Sequence, residues 1–205
     1  MHPALWISKT GLDAKQRDIS VISNNLANAN TNGFKADLEQ ARSMQAFGDG
    51  LPSRVFAMTE TPSQNFDAGE LKITENELDV AIQGDGWIAV QDANGNEAYT
   101  RAGNLQITAD GMLITASGLP VMGDDGPLQL PVPLAKMEIG IDGTVSARAQ
   151  GAPANVLEEV GRIKLVKPDY VDLKKGNDGL FRRKDGELAE ASAEVTLLNG
   201  AYEGS

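Results

Sequence analysis

The chain has 205 residues, of which 41% are hydrophobic, so it can bury the core of one full domain and still carry an extension. Its net charge of −11 disfavours binding to nucleic-acid phosphates and to anionic lipid surfaces. There is no cysteine and a single histidine, His2, which excludes disulfides and removes the usual general base and zinc ligand. We therefore predict no catalytic residue, no metal site and no cofactor.

The N-terminal segment is predicted to form one helix over residues 4–28. Apolar residues recur there every seven positions, with one more placed three residues after the third. These positions are Leu5, Leu12, Ile19, Ile22 and Leu26. A seven-residue period is typical of a helix that packs against other helices. The partner could be the rest of this chain or neighbouring subunits. Periodicity alone leaves both open, and packing within the chain is the commoner arrangement.

An asparagine-rich segment, residues 23–35, follows the helix. Asparagine is unfavourable inside helices because its amide competes for backbone hydrogen bonds, and Asn32-Gly33 is a strong turn signal. The segment therefore predicts a helix end. The amides of Asn24, Asn25 and Asn28 could serve capping alone or could bond to a neighbouring chain, and composition does not separate these interpretations.

Residues 35–74 are predicted to be an extended connector. Glycine and proline interrupt the segment repeatedly, so it would depend on partners or on the next domain for its order. Its first part, residues 36–47, could form either a short helix or an extended arm.

The region 75–185 is predicted to be an antiparallel all-β domain, so the fold class is mainly β with an N-terminal α-helix. Short apolar runs alternate there with Asx-Gly turn dipeptides, which is the pattern of successive hairpins. The predicted strands begin with residues 78–82 and 87–90. The others are 98–101, 105–108, 112–115, 120–122, 137–141, 145–147 and 162–167. Residues 186–205 are predicted to be a return strand.

The carboxylates of this region are numerous, but six of its eleven aspartates stand in Asp-Gly turns, where they have a local backbone role. The run Asp124-Asp125-Gly126 lacks the full spacing of a calcium loop. Trp87 and Tyr99 could stack on a sugar, yet with aromatics at only 5% we predict that they are core residues.

Three motifs resemble the flagellar basal-body rod protein family. Residues 23–28 with 31–35 resemble the N-terminal signature of flagellar rod and hook proteins, in the correct place after a heptad helix. Residues 78–87 resemble the strand that opens the β domain of that family, and residues 99–105 resemble its next hairpin. Within the family, residues 160–167 and 177–181 look most like proximal rod proteins. A distal rod or hook-type axial subunit is the alternative.

The resemblance implies a structural subunit of the bacterial flagellar basal body, located in the periplasmic rod and transmitting motor torque. It implies export through the flagellar type III apparatus without a cleaved signal peptide. The implied partners are other rod and axial proteins, further copies of the chain, and the export apparatus during secretion. No nucleic acid and no membrane insertion are expected. An exported carbohydrate-binding or adhesin β module is a second alternative, and an enzyme ranks third.

The resemblance also implies roles for the N-terminal residues. The apolar stripe would pack against helices of adjacent subunits, while Asn24, Asn25 and Asn28 would fix its register. Asn32, Gly33 and Phe34 would turn the chain outward. In the family, the N-terminal helix pairs with a long C-terminal helix, and we expect that helix to be missing here because the sequence stops at Ser205.

Overall fold

The computed structural model describes most of the chain as two compact units. The helical unit comprises residues 1–30 and 35–67, and the β unit comprises residues 31–34 and 68–205. The described residues are 3–29, 32–38, 41–45, 55–59, 63–64, 69–153 and 155–204.

In its described residues, the helical unit contains one long helix and two short antiparallel strand pairs. Its elements are α1 (Pro3–Ala27), β1 (Asp37–Leu38), β2 (Ala41–Gln45), β3 (Val55–Thr59) and β4 (Ser63–Gln64). Strand β2 pairs with β3, β1 pairs with β4, and α1 runs beside β3. The helix predicted over residues 4–28 is confirmed to within one residue. Of the two predictions for residues 36–47, the extended one is confirmed wherever the segment is described.

The β unit consists of short antiparallel strands, as the sequence predicts. The strands are β5 (Leu71–Ile73), β6 (Val80–Gln83), β7 (Trp87–Gln91), β8 (Glu97–Thr100), β9 (Leu105–Ile107), β10 (Leu113–Thr115), β11 (Met122–Gly123), β12 (Gly126–Pro127), β13 (Leu134–Ile139), β14 (Thr144–Ala149), β15 (Glu158–Arg162), β16 (Leu165–Val166), β17 (Leu173–Lys175), β18 (Phe181–Arg183), β19 (Thr196–Asn199) and β20 (Ala201–Glu203). The largest sheet has the order β16-β7-β8-β18-β17, and a second has the order β13-β14-β15. The remaining strands form the pairs β5–β20, β6–β19, β9–β10 and β11–β12.

Asx-Gly dipeptides join consecutive strands of the β unit at several predicted turns. At the β7–β8 turn, Gly95 has a φ of +84°, and one carboxylate oxygen of Asp92 accepts the backbone N–H groups of Asn94 and Asn96. Glycine adopts this left-handed conformation without steric cost, which explains why it follows the Asx residue. Glycines with positive φ also stand in the hairpins at Asp110-Gly111, Asp125-Gly126, Asp142-Gly143 and Asp178-Gly179.

The single strand predicted over residues 162–167 is wrong, because the chain changes partners in the middle of it. Strand β15 ends at Arg162 and β16 begins at Leu165. Between them, the N–H of Ile163 donates to the carbonyl of Gly143, and the N–H of Lys164 donates to the carbonyl of Met122. The chain thereby leaves the edge of β14 and joins β7 in the larger sheet.

The core of the β unit is aliphatic with a small aromatic cluster. Trp87 and Tyr99 are each 1% exposed, which confirms that they are core residues. The ring centres of Trp87 and Phe181 lie 4.4 Å apart with an interplanar angle of 41°. The fully buried aliphatic residues include Val80, Ile88, Val90, Leu113, Val121, Val145 and Ile163.

Candidate subunit-packing helix and chain junction

The apolar stripe of α1 is exposed in the monomeric chain. Leu12 is 61% exposed, Ile19 63%, Ile22 64% and Leu26 75%. Leu5 lies in the first turns of the same helix, but its side chain falls outside the described part of the chain. Four large aliphatic side chains are thus exposed along one side of the helix. Their exposure to water is unfavourable by about 25 cal/mol of free energy for each Å² of apolar surface. An unburied stripe of this kind marks an interaction surface.

A different face of α1 is half-buried. Its members recur at spacings of three and four residues, as one helical face requires. They are Gly11, Ala14, Asp18, Val21, Asn25 and Asn28. Most of these side chains are small or polar, so the helix leaves its most apolar stripe in solvent and half-covers a less apolar face. Lys15 forms an exposed ion pair with Asp18 at 2.9 Å.

The helix ends where the asparagines begin to satisfy its last carbonyl groups. The backbone N–H of Asn28 donates to the carbonyl of Asn24 at 3.1 Å, and the side-chain amide of Asn28 donates to the same oxygen at 2.9 Å. Two of the predicted register residues therefore take part in closing the helix, which is the local role that their composition also allowed. Asn25, the residue after Asn24, is half-buried.

Gly33 and Phe34 are embedded in the β unit, whereas Asn32 beside them is half-buried. Gly33 has a φ of +69°, and a Cβ atom there would lie 2.4 Å from the backbone nitrogen of Ala102. Only glycine fits this close approach. Phe34 is 7% exposed, and the ammonium group of Lys175 lies 3.6 Å from the centre of its ring. This is the geometry of a strong cation–π contact.

A buried ion pair lies beside Gly33. The guanidinium Nε of Arg101 donates to Glu203 Oε2 at 2.5 Å, and these side chains are 3% and 2% exposed. Arg101 also donates through Nη1 to the carbonyls of Gly84 at 3.1 Å and Gly86 at 2.9 Å. Burial of both charges is tolerated because each is paired and further hydrogen-bonded.

Sequence reasoning missed Arg101, Glu203 and Lys175 as members of this junction. Arg101 lies in the motif of residues 99–105, where a charged residue among small and apolar ones was an available signal. Glu203 and Lys175 carried no local signal, because their partners are far away along the chain.

Two polar clusters in the β unit have structural roles. Glu97 accepts two hydrogen bonds of 2.9 Å from Lys164 and one of 3.1 Å from the Tyr99 hydroxyl, which itself accepts the N–H of Ala189 at 2.7 Å. Burial raises the pKa of Tyr99 to about 12. Arg182 donates to Asp92 at 2.7 Å and to Asp178 at 2.6 Å, and its hydrogen bonds hold the pKa of both carboxyl groups below the usual range.

In the described residues, no cluster of three or more His, Cys, Asp or Glu side chains is arranged to bind a metal ion. Across the same part of the chain, no helix has the length and hydropathy needed to cross a membrane.

Comparison with known proteins gives two family matches and several relatives. The family described as flagella basal body rod protein matches residues 6–35, and the flagellar hook protein FlgE/F/G D1 domain matches residues 81–147. The flagellar basal-body rod protein FlgF of Escherichia coli (strain K12) is 41% identical over 100% of this chain and 83% of its own length. The FlgF protein of Salmonella typhimurium is 40% identical over the same shares. The flagellar basal-body rod protein FlgG of Buchnera aphidicola subsp. Schizaphis graminum is 38% identical over 81% of this chain and 68% of its own length.

The rod signature therefore coincides with α1 and its asparagine-rich end, and the hook-type domain coincides with the centre of the β unit. The chain belongs to the flagellar basal-body rod protein family. It is a structural subunit of the proximal rod of the flagellar basal body, where it assembles with other flagellar axial proteins.

Proposed function

We propose that the stripe of Leu5, Leu12, Ile19, Ile22 and Leu26 buries against helices of adjacent axial subunits and thereby holds this chain in the rod. The observation that carries the proposal is the exposure of the four described members, 61–75%, on a helix whose less apolar face is the half-buried one. A helix that only served its own chain would bury the stripe and leave Asp18 and Asn25 in water.

The size of the effect is sufficient for assembly. A Leu or Ile side chain that passes from water to a packed interface contributes about 1.5–3 kcal/mol. Five such side chains repeat in every subunit, and head-to-tail contacts leave free ends that extend the assembly. The net charge of −12 over the residues that follow the first thirty opposes this association, while the first thirty residues carry +1. The attractive surface is therefore placed in the part of the chain where repulsion is weakest.

The remaining N-terminal residues and the division of the chain follow from the same proposal. Asn24, Asn25 and Asn28 fix the register of the packed helices, in addition to their role at the helix end. Asn32, Gly33 and Phe34 turn the chain from the assembly segment, residues 1–34, toward the connector, residues 35–74. The β domain, residues 75–185, with the return strand 186–205, acts as a stiff block that resists bending.

We further propose that the chain has no catalytic role and that it reaches the periplasm through the flagellar export apparatus without a cleaved signal peptide. Nucleic acid and membrane are not partners in this proposal. Its support is the net charge of −11, the single histidine and the structural nature of the relatives.

The test is the double variant Leu12→Asp with Ile19→Asp, introduced into cells that lack the native gene. We expect loss of swimming, because two charges would have to be buried at each interface. The purified variant should keep the near-ultraviolet circular dichroism and the melting temperature of the β unit, since both side chains are exposed. The amount of secreted protein is measured in parallel, which separates failed assembly from failed export.

The matched control is Arg17→Gln with Ser20→Asp. It lowers the charge of the same helix by the same two units at exposed positions outside the stripe, and it should support swimming. Normal swimming of the stripe variant would refute the proposal.

A further inference from the structure

Glu203 accepts hydrogen bonds from two residues of the β unit that stand close to the points where the chain passes between the two units. The chain passes between the units after residues 30, 34 and 67. Gly33, between the first two passages, donates its N–H to the Glu203 carbonyl at 3.0 Å. Gly69, two residues after the third, donates its N–H to Glu203 Oε1 at 2.8 Å. All these contacts lie within the β unit.

The two carboxylate oxygens of Glu203 accept hydrogen bonds from different parts of the chain. Oε1 accepts the N–H of Gly69, and Oε2 accepts Nε of Arg101 at 2.5 Å. Arg101 in turn donates to the carbonyls of Gly84 and Gly86, so the carboxylate is anchored to the turn between β6 and β7. The backbone continues the tie, because the N–H of Gly204 donates to the carbonyl of Glu70 at 2.8 Å.

The packing around Gly33 makes this arrangement rigid. A Cβ at Gly33 would be 2.5 Å from the carbonyl carbon of Arg101, and one at Gly69 would be 2.6 Å from the carbonyl oxygen of Gly204. The passing segments therefore lie directly against the backbone that carries the ion pair. Phe34, buried beneath Lys175, also holds the first segment in place.

Two apolar side chains of the same total volume can stabilise a fold as much as a buried ion pair does. A gain in stability therefore does not explain why a buried ion pair occurs at this position. What a carboxylate supplies, and an apolar side chain does not, is acceptors for donors that approach from different segments. The carboxylate holds the passage after residue 67 through Gly69. Its ion pair with Arg101 fixes the end of β20, whose backbone carbonyl accepts the N–H of Gly33 between the other two passages.

We propose that Arg101 and Glu203 form a positioning joint that fixes the points at which the chain enters and leaves the β unit, so that load on the assembly segment reaches the β unit without local fraying. This inference rests on the proposed function, since it gives the joint the task of connecting the assembly helix to the stiff block.

The first experiment measures amide hydrogen exchange by NMR on the purified chain and on Glu203→Gln. If the joint exists, the amides of Gly33 and Gly69 in Glu203→Gln should exchange with at least tenfold less protection than in the wild type. Core amides such as those of Ala89 and Val121, which are bonded to Lys164 and Leu113, should change much less. A uniform loss over all amides, or unchanged protection at Gly33 and Gly69, would overturn the inference.

The matched control is Asp142→Asn, which removes a carboxylate from the exposed pair with Arg162, where the side chains are 52% and 47% exposed. It should leave the protection of Gly33 and Gly69 as it is in the wild type. A second variant, Arg101→Met, removes the other partner and should loosen the same two amides. If only one of the two variants did so, the pair would not act as one joint.

The second experiment asks whether loosening matters in the rod. Cells that carry Glu203→Gln should secrete normal amounts of the protein but spread in soft agar at less than half the wild-type rate. A core variant, Val121→Ala, serves as the control for reduced stability and should spread normally at a similar melting temperature. Equal spreading of the two variants would overturn the load-bearing role. Failure of the stripe test would instead leave the exchange results unaffected, so the two proposals are separable.

Discussion

The backbone N–H of Gly33 donates to the carbonyl oxygen of Glu203 at 3.0 Å, so the segment that follows the N-terminal helix is bonded to the last strand of the β unit. The contact joins a family motif near the start of the sequence to residues near its end. It is possible only because Gly33 has no Cβ, and this requirement leads to the first prediction.

Gly33→Ala should destabilise the β unit more than the same change at Gly118. Both glycines have positive φ, +69° and +83°, and alanine in this conformation costs about 1–2 kcal/mol. At Gly118 a Cβ meets nothing within 4 Å, whereas at Gly33 it meets the Ala102 nitrogen at 2.4 Å. The extra cost at Gly33 should be at least ~1 kcal/mol, because relief of the clash displaces Phe34 from its buried position. Denaturant unfolding of both variants measures the difference, and equal values would contradict the prediction.

Phe181→Ala should lower the free energy of unfolding by about 3–5 kcal/mol. The residue is 1% exposed and its ring centre lies 4.4 Å from that of Trp87, so removal of the ring leaves a cavity beside Trp87. The control is Leu188→Ala, whose side chain is 59% exposed and whose change should stay within about 0.5 kcal/mol. Urea unfolding followed by circular dichroism gives both values. A loss below 1 kcal/mol for Phe181→Ala would show that the site collapses around the missing ring.

Stability should fall as the pH rises from 10 to 12, in part through Tyr99. Burial raises the pKa of its hydroxyl to about 12, against about 10 in the unfolded chain. Between these values the unfolded chain releases a proton that the folded chain keeps, so stability is complete below pH 10 and declines above it. A shift of two units corresponds to about 3 kcal/mol.

Tyr99→Phe should make this alkaline decline shallower and remove one tyrosinate that ionises near pH 12. The absorbance of tyrosinate at increasing pH measures the second effect directly. Tyr170, whose pKa is also raised to about 12 by burial and by its bond to Asp85, should keep its contribution in the variant. An unchanged titration curve in Tyr99→Phe would contradict the assignment.

Stability should also fall in acid as the pH drops below about 4, because the pKa of Asp92 is held below its usual value by the hydrogen bond from Arg182. For a lowered pKa, the stabilisation is present above the unfolded value and is lost as the pH falls through the folded one. Asp92→Asn should therefore be less stable than the wild type at pH 7 and less sensitive to acid. Melting temperatures from pH 7 to pH 2 test this, with Asp124→Asn, an exposed turn variant, as the charge-matched control. Parallel acid profiles for Asp92→Asn and the wild type would be evidence against the pair.

Local patterns in the sequence were sufficient for the helix and for the turns. The helix was predicted over residues 4–28 and is observed over Pro3–Ala27, because heptad spacing and terminal asparagines both act within a few residues. Asp142-Gly143 and its equivalents were predicted as turns, and their glycines do take positive φ. The prediction failed at Lys164, where the strand leaves one partner for another, since the choice of partner is not encoded in a two-residue period.

The sequence by itself determined the helix, most of the turns and the β character of the region that follows, and it carried the motifs of the rod family. The tertiary structure decided which face of α1 is half-buried and which stays exposed, a choice that a heptad pattern leaves open. It also decided that Arg101 meets Glu203 and that Phe34 lies beneath Lys175. Periodicity describes residues a few positions apart, whereas these partners are brought together only when distant strands pair, and the low dielectric of the interior then makes their contacts strong.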